Sequence, residues 1–123
     1  MANKILVVED DEGSLVALSR YLQMMGYAVE QASDGAEALS KLERDRFDLV
    51  LSDIMMPVVD GFLLTKHIRA NFPATPIILM TGNPPARPRE VATQVGARLL
   101  LSKPLILDEL VEKITEVLSL KEF

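Results

Sequence analysis

Apolar positions along this chain follow two alternating rhythms. Short, nearly unbroken apolar runs recur at residues 4–9, 28–32, 47–52, 76–80 and 98–102. Runs of that length, bounded by turn residues, read as strands buried on both faces of a sheet. Between them, apolar residues return at three- and four-residue spacing, the signature of a helix with one buried stripe. Leu15, Leu18, Leu22 and Met25 mark the first helix, which Gly26 stops. The second begins at Asp34 or Gly35 and carries Ala38, Leu39 and Leu42 on one side. The third runs from Phe62 to Asn71 with Leu64 and Ile68 inward. Pro84, Pro85 and Pro88 delay the fourth to residues 89–95, closed by Gly96. The fifth has the clearest stripe: Leu107, Leu110, Val111, Ile114, Val117 and Leu118. The second strand, with apolar Ala28 and Ala32 less emphatic than the others, has the weakest pattern.

Five strands alternating with five helices predict an α/β fold with a doubly wound parallel sheet, because parallel neighbours need right-handed crossovers. The expected order is the flavodoxin-like 2-1-3-4-5, with helices on both faces in three layers. That order sets the ends of strands 1 and 3 side by side at a switch point, where ligands of such folds bind. No repeat, linker or low-complexity segment interrupts residues 1–123, which read as a single domain of common size.

Composition narrows the function. Lys and Arg total 13 against 18 Asp and Glu, a net charge of −5, and four of the acids form the block at positions 9–12. The absence of a basic tract argues against direct nucleic-acid binding. The chain has no cysteine, which excludes a disulfide framework, a thiol nucleophile and a thiolate metal site. Neither a signal-peptide pattern nor a membrane-spanning run is present, so a cytoplasmic, non-membrane location is expected.

The chemistry gathers where apolar runs end. Asp53 follows Asp48-Leu49-Val50-Leu51-Ser52; Glu9-Asp10-Asp11-Glu12 follow the first strand, Thr81 the fourth and Lys103-Pro104 the fifth. Glu9, Asp10 and Asp53 would meet at the switch point, where like charges repel. A hard divalent cation relieves this, and magnesium is held by one or two carboxylates with water and phosphate oxygens completing its shell. Asp11 and Glu12 suit a plainer role at the start of the next helix. Asp53 can act as a carboxylate nucleophile toward phosphorus, forming an aspartyl phosphate. Lys103 offers an ammonium and Thr81 a hydroxyl to phosphoryl oxygens. A cis bond at Lys103-Pro104 would set the direction of the lysine.

Glu9-Asp10, Asp53 with Met55-Met56-Pro57 and Asp60-Gly61, Thr81-Gly82 and Lys103-Pro104 together resemble the receiver domain of two-component response regulators, of the chemotaxis-regulator kind. The ordered set covers essentially the whole chain. The resemblance implies that Asp53 accepts a phosphoryl group from a sensor histidine kinase or a histidine phosphotransfer protein. It implies Mg2+ (or Mn2+) ligands at Asp10, Asp53 and the backbone carbonyl of Met55, with Glu9 acting through water. Thr81 and Lys103 become phosphate contacts that pull a switch. The output is then a protein–protein event, on a downstream effector protein or effector domain. A receiver assists its own phosphorylation and dephosphorylation and is not otherwise an enzyme. The face formed by the fourth helix, fifth strand and fifth helix is the expected switching surface and a candidate homodimer contact. His67, mid-helix, reads as an ordinary partly exposed residue and not as the donor.

Two features depart from the family pattern. Leu100 stands where receivers carry Tyr or Phe, three residues before the lysine, so a muted output or a different surface is expected. Asn83-Pro84-Pro85-Ala86-Arg87-Pro88 stiffens a segment that should move. Three competing readings fare less well. An aspartate-nucleophile phosphatase of the haloacid-dehalogenase type wants a second acid where Met55 stands. A flavodoxin-like electron carrier needs a phosphate loop where this chain has four acids. An interaction-only pseudo-receiver is expected to lack the acceptor or the lysine, and both are present.

Overall fold

The structure is a computed structural model that describes residues 2–121, with side chains described through residue 119. The chain alternates β1 (Lys4–Val8), α1 (Glu12–Met24), β2 (Ala28–Ala32), α2 (Gly35–Arg44), β3 (Leu49–Asp53), α3 (Gly61–Asn71), β4 (Ile77–Thr81), α4 (Pro88–Val95), β5 (Leu99–Ser102) and α5 (Leu107–Lys121). The strands form one parallel sheet in the order β2-β1-β3-β4-β5, as the alternation predicts.

Side chains alternate across the sheet and build two apolar layers. Ile5, Val7, Leu49, Leu51, Ile78 and Met80 pack under α1 and α5 through Leu15, Leu18, Leu22, Leu110, Ile114, Val117 and Leu118. Leu6, Val8, Val50, Ile77, Leu79 and Leu100 pack on the other face against Ala38, Leu42, Leu64, Ile68 and Ala92. Large side chains of these layers such as Leu6, Leu22, Leu51, Leu64, Ile78 and Ile114 are almost wholly removed from water. At ~25 cal/mol per Å2 of apolar surface, such burial is the main stabilising contribution.

Helix ends follow the sequence signals closely. Asp11, Asp34 and Asp60 each accept a hydrogen bond from the backbone N–H three residues on, capping α1, α2 and α3. α4 instead opens on Pro88 and closes on Gly96 in the left-handed conformation, at φ 87. Asp11 is thus a cap, and Glu12 the first acid of α1.

Some details differ from the sequence pattern. β3 begins at Leu49 and includes Asp53; Phe47 precedes it, buried in the α2–α3 layer, with its ring 5.1 Å from the Lys4 Nζ. The Asp48 carboxylate accepts the Lys4 N–H at 2.8 Å, so residue 48 ties the β3 entrance to β1 through a side chain. Met25 is the C-cap of α1 and exposed; the inward stripe ends at Leu22. Ala28 is exposed at the start of the edge strand, and Leu107 is partly exposed at the first position of α5. Among the described residues, no helix is long and apolar enough to cross a membrane.

Candidate functional site

Sheet order brings the polar strand ends together. β1 and β3 are adjacent, with Val8 beside Ser52, so Glu9 and Asp53 follow as neighbours. Asp53 pairs with Met80 of β4, and Thr81 with Ser102 of β5. Strand alternation then sorts the side chains. Glu9 and Asp53 continue the rows Ile5-Val7 and Leu49-Leu51 on the α1/α5 face, whereas Thr81 continues Ile77-Leu79 on the opposite face. Leu100 belongs to the same face as Thr81.

Glu9, Asp10 and Asp53 converge, with one carboxylate oxygen from each lying within 4.8 Å of the others. Glu9 and Asp53 are buried; Asp10 is exposed at the mouth. Three hard oxygen donors without sulfur or imidazole fit a magnesium- or manganese-type cation.

Lys103 also enters this cluster. Its Nζ donates to Glu9 Oε2 and to Asp53 Oδ2, each at 2.9 Å. Its backbone N–H donates to the Thr81 carbonyl at 2.7 Å, which hangs the lysine from the end of β4. The Lys103-Pro104 bond is cis, in line with the sequence expectation. The ammonium therefore offsets part of the repulsion that the sequence alone left to a metal ion.

These contacts shift the titrations in definite directions. Burial pushes the Glu9 carboxyl above its ordinary value; the Lys103 ammonium and the Asp11 N–H pull it back, while the Asp53 charge adds to the rise. Burial alone would lower the Lys103 ammonium, yet its bonds to Glu9 and Asp53 together hold it above its ordinary value.

Thr81 is buried, and its Oγ1 accepts the Asn83 N–H at 3.0 Å, folding the start of the next loop over the strand end. Its own hydroxyl proton remains a donor for a ligand oxygen. Met55 is 72% exposed, while Met56 is anchored in the core. His67 is exposed on α3.

Gly61, read in the sequence only as part of the Asp-Gly pair, positions the end of β3. A Cβ there would stand 2.5 Å from the Asp53 carbonyl oxygen and 2.7 Å from the Ile54 Cα. The Gly61 N–H donates to the Ile54 carbonyl at 2.8 Å, drawing the start of α3 onto the end of β3. The Asp-Gly pair was the available signal, legible as a loop end but not as a backbone contact.

Residues 5–115 match the family described as the response regulator receiver domain. The sensor protein EvgS of Escherichia coli O157:H7 is 41% identical over 106 residues, which cover 86% of this chain and 9% of EvgS. The chain thus spans a small part of that relative. Among solved structures, a CheY-like receiver domain protein from Methanospirillum hungatei JF-1 superposes with a TM-score of 0.92 at 32% identity, covering 99% of this chain and 98% of that one. The response regulator TrrA of Thermotoga maritima, in complex with Mg(2+)-BeF, has a TM-score of 0.84 at 32% identity, covering 94% and 98%. Sheet order, acidic pocket and matched span agree: this chain belongs to the response regulator receiver domain family of two-component signalling, a family of regulatory phosphoryl acceptors.

Proposed function

We propose that Asp53 is the phosphoacceptor and that Lys103, Thr81, Glu9 and Asp10 form its working site. The observation that carries this is the Lys103 ammonium held 2.9 Å from both Glu9 and Asp53 inside a cluster of three carboxylates. The donor is a phosphohistidine on a sensor histidine kinase or a histidine phosphotransfer protein. A carboxylate oxygen of Asp53 bonds to phosphorus as the P–N bond breaks, and the imidazole nitrogen leaves with the electron pair. Lys103 already engages one oxygen of Asp53 and leaves the other for bond formation. The transferred group brings three charged oxygens, and a mobile ammonium can follow the new charge. Thr81 reaches the same group from the opposite face with its hydroxyl proton.

A bound Mg2+ or Mn2+ would be held by Asp10, Asp53 and the Met55 backbone carbonyl, with Glu9 through water, and supplies charge neutralisation at the phosphoryl oxygens. The chain assists its own phosphorylation and dephosphorylation and reports the result to a downstream effector protein or domain. The reading carries a cytoplasmic location with it, since ATP charges the donor histidine there.

With Mg2+ and acetyl phosphate, intact mass should show one acid-labile phosphoryl increment, and Asp53→Asn should abolish it. Full modification of that variant at another carboxylate would overturn the assignment.

A further inference from the structure

Val58 stands in the loop between β3 and α3 at φ 67, the one non-glycine residue in the left-handed region among the described residues. The Val59 N–H donates to the Pro57 carbonyl at 2.8 Å and closes a three-residue turn around it. A γ-turn with positive φ at its centre is rare and strained. Glycine or asparagine tolerates that backbone; a β-branched residue is the least suited to it. Packing returns nothing for the strain, because Val58 is 97% exposed.

The turn is imposed from both sides. Met56 is buried in the core. Val59 lies so close over the start of α2 that a Cβ on Gly35 would come 2.5 Å from its carbonyl oxygen and 2.6 Å from its Cγ1. Asp60 caps α3 through the Leu63 N–H at 2.8 Å. Val58 is therefore a fixed apolar knob, on the same loop as the exposed Met55, and neither side chain serves the fold. Strain of this kind persists only where the surrounding structure holds it, and it clusters at functional sites. The loop borders an acceptor carboxylate only 6% exposed, so a macromolecular donor reaches Asp53 by bringing its own surface down on the surrounding loops.

Resting on the phosphoacceptor reading of Asp53, we propose that Val58 is a partner-recognition residue. It packs on apolar surface beside the phosphohistidine of the donor protein and sets donor choice without joining the chemistry. A knob already locked in place loses little freedom on docking, which favours a short-lived but selective encounter.

The test compares Val58→Gly and Val58→Asn with the unmodified chain. Both keep the left-handed turn and remove the apolar group. The protein donor is the histidine kinase that transfers fastest to the unmodified chain in a panel from the same genome; the small donor is acetyl phosphate. Both variants should lose about tenfold in transfer from the kinase, the order expected for one buried valine. Their acetyl phosphate rates should match the unmodified chain, and their melting temperatures should be equal or higher as strain is relieved. Unchanged kinase transfer overturns the proposal, as does an equal loss with both donors or a marked fall in melting temperature. Loss of self-association with transfer intact would assign the knob to a second copy of this chain instead. Failure of acetyl phosphate to label the unmodified chain would strike the phosphoacceptor reading, not the role of Val58.

Discussion

Glu9, 2% exposed, shares the Lys103 ammonium with Asp53, and its protonation couples the site to folding. Because its folded carboxyl titrates above the ordinary 4.5, the folded chain binds this proton more tightly than the unfolded chain does. Its contribution is then greatest at and below pH 4.5 and is lost as pH rises through the raised folded value. Lys103, also raised, acts only far above that window, where stability falls as pH climbs past 10.5. The lowered carboxyls of Asp11 and Asp45 act below 3.8 and in the opposite sense. In metal-free buffer, melting temperature should therefore decline as pH rises from 4.5, and Glu9→Gln should flatten that limb. Parallel curves for the two proteins would remove Glu9 as the cause. Gly61 makes a second case at this scale. Gly61→Ala forces a methyl group into the backbone of Asp53 and Ile54, atoms that cannot swing aside. A loss of about 1–3 kcal/mol, typical of overpacking, is expected in denaturant unfolding, together with slower acetyl phosphate labelling.

At the level of elements, the joint of α4 and β5 carries Leu100. Leu100 is 8% exposed and packs inward with Ala92 and Ala97, on the face that also carries Thr81. On the proposed phosphoacceptor reading, a side chain already inside would have little area left to bury if Thr81 turned toward a phosphoryl group, so the two states would differ little in free energy there. With the phosphate mimic beryllofluoride and Mg2+, amide shifts should change most around Asp53 and residues 82–87 and least on the α4–β5–α5 face. Leu100→Tyr should enlarge the response of that face; a large rearrangement in the unmodified chain would show that leucine is no brake. The helix starts were legible because each of the first four has a local cause: an Asp cap on α1, α2 and α3, and a Pro at the first turn of α4, which a left-handed Gly then closes. What was not legible depends on partners distant in sequence. Leu22 and Met25 both fit the helical spacing, but only the packing shows that the stripe stops at Leu22. Lys103 read as a phosphate contact, yet its two carboxylate partners lie 94 and 50 positions away. Valine gives no turn signal at all, so the left-handed Val58 had nothing to announce it.

On the scale of the whole molecule, the parallel sheet is what turns scattered acids into one site. Neither Glu9 nor Asp53 leaves its strand end without unfolding the pairing of β1 with β3, so the cluster exists only in the folded chain. A cation that needs all three carboxylates therefore binds the native state and not the unfolded one, and its affinity adds to folding stability. At a hundredfold excess over the dissociation constant the gain is ~2.7 kcal/mol. For a chain of 123 residues that corresponds to a rise of roughly 10 °C in melting temperature. The lysine moderates the starting point: with its Nζ between Glu9 and Asp53, the metal-free protein carries less unrelieved repulsion than three bare carboxylates would. Asp10 has no part in that bridge and stands exposed at the mouth, so it is the acid whose charge a cation recruits most directly. Asp10→Asn should leave the metal-free melting temperature unchanged or slightly higher, since one like charge is gone, and should cut the Mg2+-dependent rise. Calcium, which prefers more ligands and longer bonds, should raise it less than Mg2+. A thermal scan flat in Mg2+ through the millimolar range, or an Asp10→Asn variant with the full Mg2+ response, would refute a cation site built on these carboxylates.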